Sequence, residues 1–243
     1  TVAQSLISKD INYKKNIKNE YSTIRETHKQ SQEERVFISV SEARKNSHTL
    51  DWHNYTPPKP NFIGNRSHSV SLEEIVPYID WMPYFWTWDI HGSYPSMLDQ
   101  DDELGRRSRE VLEDAKIMLE RVVNDKLFNP SGVYGFYPAV SKNDDIDIFD
   151  NYGIHFETLY FLRQQMCKKD KTPNRSLADF VAPAISDKKD FIGAFAVTAG
   201  AEVAKIANEY RDDQDDYSCI IIQALGDRLA EAYAEYLHEK VRI

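Results

Sequence analysis

The sequence predicts a mixed α/β domain of the α+β kind. Helical and strand patterns follow one another along the chain, two strand-like runs are joined by a polar turn, and no apolar run approaches the roughly 18–20 residues that span a bilayer. At 243 residues, 41% hydrophobic and 28% charged, the composition is that of an ordinary globular protein. A chain of this length buries roughly 70–75% of its unfolded surface, so neither disulfide nor metal is required to hold it. The formal charge of −9 argues against a nucleic-acid surface, which has to attract phosphate. The Lys-rich stretch 9–29 also carries acids and reads as a solvated helix face.

Residues 3–34 are predicted to form a long amphipathic helix, with Ile17, Tyr21, Ile24 and His28 spaced four, three and four apart. "RVFISV" follows as a short strand or extended piece. From Lys45 to Ser69 periodicity is lost, and "TPPKPNF" is extended because proline fixes φ and restricts the residue before it. Trp52, Tyr55 and Phe62 give this segment apolar grips, so residues 1–70 are expected to be an N-terminal helix and a wrapping segment, and 71–243 the domain core.

Ser71 with Glu74 three residues on is a capping box opening a short helix over 71–78. A stronger helix is predicted over 102–125, its buried stripe Val111, Leu112, Ala115, Met118, Leu119 and Val122, with acids at its positive end. "NPSG" supplies turn chemistry, and "VYGFYPAV" and "DIDIF" form a hairpin through "SKNDD". Glu157 to Lys169 is helical by pattern. "FIGAFAVTAG" reads as a strand buried on both faces. Two helices close the chain, Glu202 to Tyr210 and Asp215 to Arg242.

Candidate sites are few. The last helix pairs a core stripe (Tyr217, Ile221, Leu225, Leu229, Ala232, Tyr233 and Tyr236) with a polar one made of Asp227, Glu231, Glu235, His238 and Arg242. Glu231 stands among Ala230, Ala232 and Ala234, small side chains that let another surface come close. A solvated acidic face and an acidic ligand cleft both fit that pattern. The aromatic stretch "YIDWMPYFWTWDIHGSYP" holds Asp80, which is either a turn residue ahead of Pro83 or a ligand carboxylate. Its aromatics suit a core ridge or a stacking platform. No H-E-x-x-H or paired Cys/His spacing points to a metal, and "GAFAVTAG" lacks the G-x-G spacing of a dinucleotide loop. No nucleophile set is visible. Cys167 and Cys219 are expected to be reduced, in a cytoplasmic protein without a signal peptide.

The segments "YIDWMPYFWTWDIHGSYP", "NPSGVYGFYPA", "LRQQ", "SLADFVAP", "DFIGAFAVTAG" and "DDYSCIIIQALGDRLAEAYAEYLHEKVR" occur in one order. Together they resemble the activation domain of cobalamin-dependent methionine synthase. The resemblance runs from Ile75 to Arg242, with a similar wrap before it. It implies a C-shaped fold with a bent antiparallel sheet and long helices, and a reactivation role. Such a domain binds S-adenosylmethionine (AdoMet) and supports reductive methylation of cob(II)alamin, with an electron from flavodoxin or a related flavoprotein. Asp80 and Glu231 match family acids that contact AdoMet. The partners implied are the cobalamin module of the same enzyme and the flavoprotein, with neither nucleic acid nor membrane. Cobalamin and zinc belong to other modules.

The acidic stripe is the expected face for the cobalamin module, and Arg106, Arg107 and Arg109 for an acidic flavoprotein. The family also completes its crevice with an R-P-A-P-G-Y-P turn and a later tyrosine-bearing segment, and neither is present here. The apolar spacing of Tyr233, Tyr236, Leu237 and Val241 runs to the last turn, so the domain is expected to be C-terminally incomplete, weak toward AdoMet and not catalytically competent alone. Two other functions stay open: a docking domain that binds no AdoMet, and an unrelated AdoMet-dependent methyltransferase, which the missing glycine loop disfavours.

Overall fold

A computed structural model of the chain describes residues 11–33, 36–168, 170 and 172–243. It has the mixed α/β class. Contacts divide it into two compact units, unit 1 from residues 1–60 and 138–192 and unit 2 from 61–137 and 193–243. The helices are α1 (Ile11–Glu33), α2 (Val40–Lys45), α3 (Leu72–Ile75), α4 (Met82–Thr87), α5 (Glu103–Asn124), α6 (Glu202–Asp212) and α7 (Asp216–Arg242). The strands are β1 (Gly64–Ser69), β2 (Ser131–Lys142), β3 (Asp145–Phe149), β4 (His155–Tyr160) and β5 (Asp190–Thr198). The sheet order is β1-β2-β3-β4, with β5 also on β2, and the β1–β2, β2–β3 and β3–β4 pairs are antiparallel.

Unit 2 carries an apolar core. The Asp102 carboxylate caps α5 by accepting the Gly105 N–H at 2.8 Å, and Val111, Leu112, Ala115, Leu119 and Val122 are buried as the spacing predicts. In α7, Ile221, Leu225, Leu229, Ala232, Tyr233 and Tyr236 are buried. Tyr217 is the exception: it is partly exposed and donates from its hydroxyl to Asp114 at 2.6 Å. Partial burial and that carboxylate push its phenol up to about 12. Helices α6 and α7 approach closely at Gly226, where a Cβ would stand 2.5 Å from the Val203 side chain. Only a residue without a side chain permits that spacing.

Unit 1 is organised differently. Arg163 donates from Nε to Asp144 at 2.7 Å and from Nη2 to Asp179 at 2.5 Å. Its Nη1 reaches the Asn174 carbonyl and the other Asp179 oxygen. Arg44 adds a 2.8 Å bond to Asp144. Residues 36–38 run beside 165–167 through the bonds Ile38 N–H to Gln165 O and Cys167 N–H to Val36 O, so "VFI" within "RVFISV" is extended before Ser39 caps α2 (Arg35 lies outside the described residues).

Four expectations change. The helix predicted from Glu157 to Lys169 is instead β4 followed by extended chain (Lys169 lies outside the described residues). The register Asp147↔Thr158 and Asp145↔Tyr160, followed by the Arg163 ion pairs, outweighs local helical preference, as tertiary context does. Strand β5 is not buried on both faces, since residues 193–196 are exposed. Its run is built largely of small side chains, with Gly193 close to the Phe136 ring. Strand β1 was not expected, because "GNRSHS" has no apolar alternation and pairs with β2 through its main chain. Helix α1 forms, yet Tyr21 and Ile24 are exposed, so the stripe has no core to enter among the described residues. The part of that helix before Ile11 lies outside them.

Candidate functional site

The two acids singled out by sequence both fall in unit 2. The Ser71–Glu74 capping box is formed: Glu74 accepts the Ser71 N–H and hydroxyl at 3.1 Å each, and the Tyr236 hydroxyl donates to its other oxygen at 3.1 Å. These bonds, the Ser71 amide foremost, hold the Glu74 carboxyl below its ordinary range. They also tie α3 to α7. A 3₁₀ turn over Val76–Tyr78 follows, and Tyr78 donates from its hydroxyl to Glu239 while packing edge-on to Tyr236 at 5.6 Å.

Ten residues on, Trp88 lies 5.0 Å from the Tyr217 ring. The segment from Tyr78 to Trp88 therefore runs antiparallel along α7, from Tyr236 back to Tyr217. Asp80 lies between those anchors on that segment, and Glu231 lies between them on α7.

Asp80 is exposed. Its Oδ1 accepts the Met82 N–H at 2.9 Å, which opens the turn into α4, where Pro83 sits in the first turn. The turn role expected of this residue is real, and it engages only one of the two oxygens. Glu231 is held more fully. Its Oε2 and Oε1 accept the Arg228 Nη1–H and Nη2–H at 2.9 and 3.0 Å, with the Arg228 side chain 10% exposed and that of Glu231 66% exposed. Sequence reasoning missed Arg228 as a partner, although its i, i+3 spacing to Glu231 was readable. No hydrogen bond or ion pair joins Asp80 to Glu231 among the described residues.

The aromatics divide. Tyr84 and Phe85 are fully buried, with Trp81 edge-on to Tyr84 at 5.7 Å, so most of the stretch is core, and Trp86 is the exposed member. Asp227, Glu231 and Glu235 share the exposed side of α7, with His238 half-buried near them. An open cleft of about 440 Å³ lies at the end of this stripe, lined by Tyr78, Glu235, His238, Glu239, Arg242 and Ile243. It includes neither Asp80 nor Glu231. The three arginines expected to form a basic patch are engaged. Arg106 pairs with Glu110 at 2.9 Å, Arg107 donates to the Trp88 carbonyl at 2.8 Å, and Arg109 donates to the carbonyls of Leu98 and Gln100.

A second cleft, about 300 Å³ in unit 1, is lined by Arg44, His48, Trp52, Asp144, Arg163 and Asp179 among others. Its carboxylates and the buried Arg163 already satisfy one another. Among the described residues no three His, Cys, Asp or Glu side chains meet as a metal-ligand set, and no helix is long and apolar enough to cross a membrane.

Ammonium and hydroxyl groups are the kinds of donor an exposed carboxylate can accept. Asp80 keeps one oxygen unengaged, Glu231 is exposed among alanines, and a carboxylate accepts charge-assisted bonds from either group. The family model described as "Vitamin B12 dependent methionine synthase, activation domain" matches residues 71–243. A solved structure described as "Crystal Structure of the MetH Reactivation Domain bound to AdoHcy" is 43% identical, with a TM-score of 0.78 over 85% of this chain. The chain spans 63% of that protein's length.

Proposed function

The chain belongs to the activation-domain family of vitamin B12-dependent methionine synthase, and from that premise we propose that it is the AdoMet-binding reactivation module of such an enzyme. The observation that carries this is its 43% identity to a reactivation domain bound to AdoHcy. AdoHcy and AdoMet share the ammonium, the ribose diol and the carboxylate. AdoMet, when bound, supplies an activated methyl group. The chain's own residues bind and orient: Asp80 and Glu231 accept hydrogen bonds from the cationic and hydroxylic side of the ligand. For Glu231 this means sharing or exchanging the Arg228 fork, and the guanidinium so released can meet the ligand's own carboxylate. The rest of the proposal is that the module works beside the cobalamin module, receives its electron through flavodoxin or a related flavoprotein, and does so in the cytoplasm. The parent enzyme is a methyltransferase. Alone, the chain positions a ligand without a catalytic residue of its own.

A second reading, a docking domain that binds no AdoMet, is favoured by one observation: Glu231 is already paired through both oxygens. Titrating AdoMet and AdoHcy into the ¹⁵N-labelled chain separates the two. Saturable shifts at the amides around Asp80 and Glu231 are expected, weaker than a longer reactivation domain would give. No shift at millimolar ligand would leave the docking reading standing and remove the first.

A further inference from the structure

Among the described residues, Arg228 is the one charged residue buried in unit 2. Its partner is unusual for a buried cation. Glu231 accepts Nη1–H and Nη2–H through separate oxygens at 2.9 and 3.0 Å, although 66% of the Glu231 side chain is exposed. The buried guanidinium of unit 1 is built otherwise: Arg163 closes on two buried carboxylates, Asp144 and Asp179, and on the Asn174 carbonyl. A pair with one member in water is a weak source of stability, because solvent screens the exposed charge. Burying the guanidinium still costs desolvation. What the Arg228 fork does fix is geometry. A planar guanidinium closing on both oxygens sets the rotamer and plane of the carboxylate, which a free Glu on a helix surface does not keep.

The neighbours of Glu231 make that fixing necessary. Asp227 and Glu235 stand four residues to either side, on the same exposed side of α7, and like charges at that spacing repel. From Asp227 to Glu235 the only cation is Arg228, and its fork singles out Glu231 from the three acids. Each carboxylate oxygen has room for two hydrogen bonds, so the fork leaves one place on each. Glu231 can take a ligand by sharing the fork or by exchanging it. Sharing keeps the buried guanidinium satisfied, whereas exchange has to draw it out of a position where its side chain is 10% exposed. We propose that Arg228 is a positioning residue for ligand binding: it stays on Glu231 while the ligand's donors fill the remaining places. The carboxylate is then oriented before the ligand arrives, which lowers the ordering cost of binding. This rests on the reading that Glu231 receives AdoMet.

The test titrates AdoMet into the ¹⁵N-labelled chain as wild type, Arg228→Lys, Glu231→Gln and the double variant. Lysine keeps the charge and loses the fork. Arg228→Lys is expected to weaken AdoMet about tenfold while keeping the native circular dichroism. With Glu231→Gln already present, the same change should weaken it by less than about twofold, since a residue acting through Glu231 has nothing left to position. The wild-type Arg228 Nη–H signals are a second readout that needs no variant to fold. Sharing keeps them separate as AdoMet binds, and exchange averages or displaces them. Unchanged affinity in Arg228→Lys overturns the proposal. An equal loss in the Glu231→Gln background also overturns it, since Arg228 would then act on the ligand or on the fold alone. Averaging of the Nη–H signals on binding does the same. A wild type that gives no shift with AdoMet removes the AdoMet reading and this inference together, whereas a wild type that binds while the other results fail removes this inference alone.

Discussion

Unit 2 buries Ile75, Tyr84, Phe85, Ile222, Leu225 and Leu229, and its buried side chains are almost wholly apolar, with Ser108 and Arg228 as the polar exceptions. Unit 1 buries a smaller apolar set and places Arg163, Asp144, Ser141, Asn174 and Ser176 inside with it. The two regions thus depend on different physics. Apolar burial is non-directional and scales with area, so single losses in unit 2 are graded. A buried ion network is directional, and removing one member strands the others in low dielectric. Unit 1 is therefore expected to fail more abruptly.

The largest expected effect is Arg163→Leu. It leaves Asp179 buried without its cation and Asp144 with only the half-exposed Arg44, and should cost about 3–5 kcal/mol. Hydrogen exchange should show β3 and β4 losing protection while α7 keeps its own. Equal loss in both would break the contrast. Acid should produce the same pattern. Burial pushes the Asp179 carboxyl up, but hydrogen bonds from Arg163 and the Ser176 amide outweigh it, and the net position is below the ordinary 3.8. A depressed carboxylate contributes stability that is full above its unfolded pKa and is lost as pH falls through the folded one. Unit 1 should thus unfold before unit 2 as pH drops below about 4, which a pH series of near-ultraviolet dichroism and exchange can follow.

Leu225→Ala, at a fully buried position in α7, should cost about 3 kcal/mol through lost transfer energy and a cavity. Its effect should centre on unit 2, measured by denaturant midpoint and α7 exchange. Asp80→Asn and Glu231→Gln come next. Each should weaken AdoMet about ten- to a hundredfold, or about 1.5–3 kcal/mol, read by calorimetry. Unchanged affinity in both variants would sink the assignment of these acids. The smallest effect is that of the same two substitutions on stability. Asp80→Asn should be within about 0.5 kcal/mol, and Glu231→Gln slightly larger because Arg228 is mostly buried, yet limited by the exposure of Glu231.

The sequence by itself determined most of unit 2. The 3.6-residue spacing in α5 and α7, the Asp102 cap and the Ser71–Glu74 box are local signals, and each reports burial or capping within one or two helical turns. The hairpin of β2 and β3 was legible for the same reason, through turn chemistry beside alternating residues. The ligand role proposed for Asp80 and Glu231 came only from family resemblance, since neither has a periodic signature that separates it from a solvated face. Some missed features had readable signals: Ser39 and Glu42 repeat the spacing of the Ser71 box, and Phe156, Thr158, Tyr160 and Leu162 alternate as a strand does. Tertiary structure alone decided the rest. The Arg44–Asp144 bond joins residues 100 apart, and a pair at that separation leaves no trace in any window of sequence. The strand β4 in place of a helix, the apolar row left exposed on it, and the small-residue run of β5 open to solvent followed from which surfaces met. Periodicity tells a segment which face to bury; only the assembled fold determines whether anything is there to bury it against.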